Sequence, residues 1–75
     1  MVHVMEVSPE ARVELERMAR SLVLPHRKVV QAKALLALAD GASVRSTARA
    51  IGSHPDTVTR WRDRLADSGV EGVGV

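Results

Sequence analysis

Apolar residues recur along this chain at spacings of three and four, which is the period of an amphipathic α-helix. The first such stretch begins at Ser8 and Pro9, because a serine hydroxyl caps free amides and proline fits the first helical turn. We expect a helix from about residue 9 to residue 22. Its inward stripe contains Ala11, Leu15, Met18 and Leu22.

A second helix is predicted to start near Pro25, because the residue before a proline is pushed away from helical geometry. It ends before Gly41, which can adopt the left-handed conformation that follows many helix ends. Its second half, ALLALA at residues 34–39, is apolar on every face. We expect this helix to be central in the bundle, and coverage by a second chain is the alternative.

A third, very short helix is predicted from residue 44 to residue 51, with Ser43 as its N-cap. Val44, Ala48 and Ile51 follow one another at spacings of four and three, so they form its inner stripe.

A fourth helix is predicted to begin at Pro55 and to run to about Ala66. Its inner face contains Val58, Trp61 and Leu65. Trp61 is one apolar residue in a helical stripe and has no second aromatic beside it, so core packing is favoured over stacking on a base. The chain is therefore predicted to be all-α, with about four helices.

The junction GSHP at residues 52–55 raises the question of why two such short helices are separated by a glycine turn. Two helices joined by about three residues cross steeply, and Ala48 is small enough for a close approach. Gly52, four residues later, supplies a positive φ without steric cost. Val58, six residues after the glycine, then packs back on the first helix. This combination predicts a helix-turn-helix.

In a helix-turn-helix the second helix enters the major groove with its N-terminal half, and the first helix lies across the backbone. The face opposite the inner stripe is predicted to meet base edges. The groove-facing candidates are His54, Pro55, Asp56, Thr59 and Arg60.

Arg60 is the best candidate for a guanine, and Thr59 for a thymine methyl group. Asp56 either accepts from a cytosine amino group or favours the helix N-terminus electrostatically, and the second role is preferred. The candidates for phosphate contacts are Ser43, Arg45, Arg49, Ser53, Arg62 and Arg64.

Charge is unevenly distributed although the net charge is only +2. Residues 1–25 sum to −1 and residues 26–75 to +3, and nine of the eleven cations are arginine. Arginine suits bidentate contact with phosphate and guanine, so double-stranded DNA is the expected partner. A solvated, salt-bridged helical surface is the alternative interpretation of the same charges.

Other classes of function find little support in the composition. There is no cysteine, and the three histidines are more than twenty residues apart, so neither a metal site nor a cofactor is expected. The carboxylates lie mainly on solvent faces beside charge partners, which does not indicate an enzyme. No apolar run reaches the roughly 18 residues of a membrane span, and no secretion signal is recognisable. We expect a cytoplasmic, nucleoid-associated protein without a small-molecule ligand.

Residues 8–73 resemble the N-terminal DNA-binding region of bacterial transposases of the insertion sequence 630 family, relatives of the mariner elements. The most specific segments are LPHR, the alanine-rich helix ending in ADG, TVTRW and GVEGV. The chain departs from that family at Ser53 and His54, where an apolar residue and then a Ser or Asp cap are usual. The resemblance implies a homeodomain-like unit that recognises terminal inverted repeats.

In that family a metal-dependent catalytic domain follows, and this sequence does not include it. We therefore expect the recognition module alone, either a cut piece of a transposase or a truncated or domesticated gene product. The expected organisation is an arm at residues 1–7, a DNA-binding domain at 8–68 and a linker or tail at 69–75. The alternatives are a small repressor that acts as a homodimer and a helical protein-interaction module.

Overall fold

Four α-helices follow one another in the computed structural model, which describes residues 7–69. No strand occurs among these residues, which confirms the predicted all-α class. The helices are α1 (Pro9–Ala19), α2 (His26–Ala39), α3 (Val44–Ile51) and α4 (Pro55–Ser68).

Serine caps start two of these helices, as the sequence predicted. The Ser8 hydroxyl accepts from the amide of Ala11 at 3.2 Å, and the Ser43 hydroxyl accepts from the amide of Ser46 at 3.0 Å. Each bond satisfies an amide that has no partner within its own helix. The starts of α1 and α3 are therefore determined locally.

α1 ends at Ala19, earlier than predicted, and Leu22 is 100% exposed. The assignment of Leu22 to the inner stripe is therefore wrong. The hydroxyl of Ser21 accepts from the amides of Val23 and Leu24, at 3.2 and 3.0 Å, and such side-chain bonds compete with helix continuation. Leu24 packs against the core in place of Leu22.

α2 is the central helix, as its apolar sequence predicted. It contacts each of the other three helices, whereas α1 contacts α2 alone among the described helices. Ala32, Ala34, Leu35 and Leu38 are buried along its length. This helix therefore connects α1 to the pair formed by α3 and α4.

One core cluster joins all four helices. Leu15 of α1, Leu35 of α2 and Val58 of α4 are its largest fully buried side chains. Burying a side chain of this size contributes about 1.5–3 kcal/mol. Trp61 is half-buried and packs against the cluster, which agrees with a core role. The other buried members are Met18, Ala32, Leu38, Ala48 and Leu65.

α3 buries one residue that the predicted stripe left out. Ala48 is buried, and Val44 and Ile51 pack partly buried against the core, as expected. Thr47 is also buried, and its hydroxyl has no hydrogen-bond partner among the described residues. Thr47 lies three residues after Val44 and four before Ile51, so it belongs to the inner face. The predicted stripe omitted it because that stripe was defined by apolar residues and threonine is polar.

Arginines of α1 are engaged by carboxylates. Arg12 contacts Glu16 at 3.2 Å and Asp40, at the end of α2, at 2.8 Å. Asp40 is the main cause that raises the pKa of Arg12 above its ordinary value. Arg17 pairs with Glu14 and lowers the pKa of that carboxyl. The charges of α1 are therefore largely compensated within the fold.

α4 continues past the predicted end near Ala66 and stops at Ser68, where Gly69 is the C-cap. The predicted arm at 1–7 and tail at 69–75 lie outside the described residues except for Val7 and Gly69.

Candidate nucleic-acid interface

The turn between α3 and α4 is built by backbone hydrogen bonds. Gly52 has φ +72° and ψ +30°, the left-handed conformation that the sequence predicted. Its amide donates to the carbonyl of Arg49 at 3.3 Å, and the amide of Ser53 donates to the carbonyl of Ala48 at 2.9 Å. These two bonds form a Schellman motif, which determines the direction in which the chain leaves α3.

Gly52 is required for its backbone conformation and not for space. A Cβ atom at this position would meet no atom within 4 Å. The small buried residue of α3 is Ala48, which is 1% exposed and belongs to the core.

His54 is the N-cap of α4. It has extended backbone angles, and its Nδ1 accepts from the amide of Asp56 at 3.1 Å. Its carbonyl accepts from the amide of Thr57 at 3.0 Å. Sequence reasoning assigned His54 to the groove and missed this capping role, since histidine is not a common N-cap residue.

Asp56 lies in the first turn of α4 and is exposed. Its Oδ2 is 3.6 Å from Nδ1 of His54. A carboxylate in the first turn interacts favourably with the positive end of the helix dipole. This location agrees with the electrostatic role expected for Asp56.

The outer face of α4 is polar, as the helical period predicted. Arg60 and Asp63 are exposed and Thr59 is half-buried, whereas Val58 and Leu65 are buried on the opposite face. This outer face is therefore available to a partner.

An open cleft of about 300 Å³ lies between α3 and the start of α4. Its lining consists of Arg45, Ala48, Arg49, Ser53 and Pro55. In a Schellman motif an apolar residue often covers the last turn from the position that Ser53 occupies here. Because the serine side chain is short and polar, the space beside Ala48 stays open, and two arginines line it.

Several arginine side chains of the helix-turn-helix have no interaction partner among the described residues. Arg45, Arg49 and Arg60 are exposed, and their guanidinium groups form no hydrogen bond or ion pair with any described residue. Arg62 contacts Asp63 at 3.5 Å, and Arg64 also has an interaction partner. Three positive charges on α3 and α4 therefore face solvent without compensation.

The predicted site residues fall into groups along the surface. The cleft brings together Arg45, Arg49, Ser53 and Pro55. Ser43 lies at the start of α3, where its hydroxyl is engaged as the cap. The remaining candidates follow along the start and length of α4: His54, Asp56, Thr59, Arg60, Arg62 and Arg64.

Ala48 is a cleft residue that the sequence analysis assigned to the inner stripe of α3 and to the helix crossing, and not to the site. The signal was present, because Ala48 and Arg49 follow Arg45 by three and four residues, the spacings that make helix positions neighbours.

Neither a metal centre nor a membrane span is evident in the part of the chain that the structure describes. Residues 7–69 contain no group of three or more metal-binding side chains. None of their helices combines the length and apolar character that crossing a bilayer requires.

Two short helices joined by a left-handed glycine turn, the second with a polar outer face, define a helix-turn-helix domain. The chain matches the model of the homeodomain-like domain family over residues 25–74, about two thirds of its length, and belongs to that family. The match includes α2, α3 and α4 and leaves α1 outside. Family membership indicates binding to double-stranded DNA. Searches among curated proteins and among solved structures found no match.

Proposed function

We propose that this chain is a sequence-specific DNA-binding module in which α4 enters the major groove and α3 lies across the backbone. The observation that carries the proposal is the uncompensated charge of Arg45, Arg49 and Arg60. The arginines Arg12 and Arg17 of α1, in contrast, are paired with carboxylates. These three arginines place positive charge without an internal partner on the two helices that meet DNA in a helix-turn-helix.

The cleft is the proposed phosphate site. Arg45 and Arg49 lie one helical turn apart along it, and Ser53 adds a hydroxyl. Guanidinium groups form short, charge-assisted hydrogen bonds to phosphate oxygens. Such contacts position a protein on the duplex without reading its sequence. Ser43, Arg62 and Arg64 are proposed to extend these contacts on either side.

The exposed start of α4 is the proposed reading surface. Arg60 is placed to donate two hydrogen bonds to guanine O6 and N7, and Thr59 to contact a thymine methyl group. His54, Pro55 and Asp56 precede them at the helix N-terminus, where recognition helices approach base edges.

The narrower proposal is that the target is the terminal inverted repeat of a transposable element. It is supported by the resemblance of residues 8–73 to insertion sequence 630 transposases. The proposed module spans residues 8–68, and the packing of Leu15 and Met18 of α1 in the same core cluster as the family-matched helices supports the inclusion of α1. This function would place the protein on the bacterial nucleoid.

The test is selection of bound sequences from a random duplex pool, followed by titration of the selected site at several salt concentrations. Phosphate contacts make log affinity fall steeply with log salt. Arg49→Ala should lower the salt slope by about one. Arg17→Ala is the matched control, because it removes the same charge from α1 and should leave the slope unchanged.

Absence of DNA binding at low salt would overturn the proposal. Association with a protein partner that hardly changes with salt would instead indicate a helical interaction module.

A further inference from the structure

The hydrogen bond that caps α4 determines which nitrogen of His54 carries a proton. The amide of Asp56 can only donate, so Nδ1, at 3.1 Å, must accept. A neutral imidazole accepts through one nitrogen and donates through the other. The capping ring is therefore the tautomer with its proton on Nε2.

This tautomer leaves a donor without a partner at the start of α4. The two ring nitrogens face in nearly opposite directions, so Nε2–H points away from the amide that Nδ1 caps. The side chain is 71% exposed, and Nε2 has no hydrogen-bond partner among the described residues. The cap thus holds an imidazole N–H in a defined orientation toward solvent.

We propose that His54 is a specificity-determining residue that donates from Nε2–H to N7 of a purine in the major groove. The inference rests on the proposed function and assigns one atom and one acceptor class within it. Purine N7 accepts at the groove edge in both adenine and guanine. A single residue then holds the start of the recognition helix and reads a base from it.

The neighbouring carboxylate favours a base over a phosphate as the acceptor. Asp56 is exposed, and its Oδ2 lies 3.6 Å from the His54 ring. A phosphate oxygen bound at Nε2 would lie across the ring from this carboxylate and would still be repelled by its negative charge, whereas a base edge carries no net charge. His54 therefore differs from the arginines of the cleft, which have no carboxylate partner.

The first experiment reads the tautomer in the free protein. Nitrogen NMR shifts of the neutral His54 ring should show a protonated Nε2 and an unprotonated Nδ1. A protonated Nδ1 would overturn the inference whether or not the chain binds DNA.

The second experiment compares His54→Ser with the parent. Serine caps a helix well but has no ring, so melting should be unchanged, while His54→Ala should melt at a lower temperature. Each purine of the selected site is then replaced in turn by its 7-deaza analogue, which lacks the N7 acceptor. Loss of one hydrogen bond should weaken parent binding about threefold to tenfold at one position.

His54→Ser should be insensitive to 7-deaza substitution at that same position. If the parent binds DNA but both proteins respond alike at every purine, the inference fails and the proposed function stands. A scan with methylphosphonate linkages provides the remaining comparison: a His54-dependent loss that maps to a phosphate would also overturn it. If the parent binds no DNA, the inference and the proposed function both fail.

Discussion

The amide of Ser53 donates to the carbonyl of Ala48 at 2.9 Å, so the residue after the glycine turn is bonded back to the buried alanine of α3. The same two residues line the cleft beside Arg45 and Arg49. The backbone conformation of the turn and the shape of the proposed phosphate site are therefore coupled. A change that disturbs the turn should also disturb the cleft.

Gly52→Ala should lower the free energy of unfolding by about 1–2 kcal/mol, because a non-glycine residue is strained at φ +72°. No steric clash adds to this strain, since a Cβ would meet no atom within 4 Å. Gly52→Asn is the control, because asparagine tolerates the left-handed conformation better. Urea unfolding measures both variants, and equal losses for Ala and Asn would contradict an explanation based on φ.

Leu15→Ala should destabilise the protein by about 2–5 kcal/mol, because this side chain is fully buried in the core. Leu22→Ala, the matched control nearby in the sequence, should change stability by less than about 0.5 kcal/mol since Leu22 is fully exposed. Thermal unfolding compares the two. A large loss of stability with Leu22→Ala would show that the Leu22 side chain packs in the core after all.

Arg60→Ala should weaken binding to the preferred site by about 1–3 kcal/mol and relax the preference at one base pair, because a bidentate contact is lost. Arg49→Ala should weaken binding to all sequences by a similar factor, as expected for a phosphate contact. Affinities for the preferred site and its single-base variants separate these results. A uniform loss with Arg60→Ala would show that the outer face of α4 is rotated from the proposed orientation.

Glu14→Gln should reduce the amount of stability that the protein loses as the pH falls into the acid range. Arg17 lowers the pKa of Glu14 below the ordinary 4.5, so the unfolded chain binds this proton more readily than the folded chain does. The stabilisation is present above the ordinary pKa and is lost as pH falls through the lowered one. The effect should be small, because the pair is exposed.

Acid titration of thermal stability measures this effect. Arg17→Gln should flatten the profile in the same way, and the double variant should add nothing further. Additive effects of the two substitutions would show that the pair is not the cause.

Helix starts and the glycine turn were predictable because their causes are local. Ser8 and Ser43 cap amides only three residues away, and Gly52 adopts a conformation that few other residues tolerate. The central position of α2 was equally predictable, because its second half is apolar on every face and such a helix is favoured at the centre of a bundle.

The sequence by itself therefore determined the number of helices, their order and the helix-turn-helix, since capping, periodicity and backbone freedom act over a few residues. Tertiary structure decided that Leu24 rather than Leu22 reaches the core, because only packing against the core cluster distinguishes two leucines that a single residue separates in the same local pattern. It also decided that Arg45 and Arg49 share a cleft with Ser53, since that cleft exists only where α3 meets the start of α4. Proximity between separate helices follows from how they pack, which no local pattern contains.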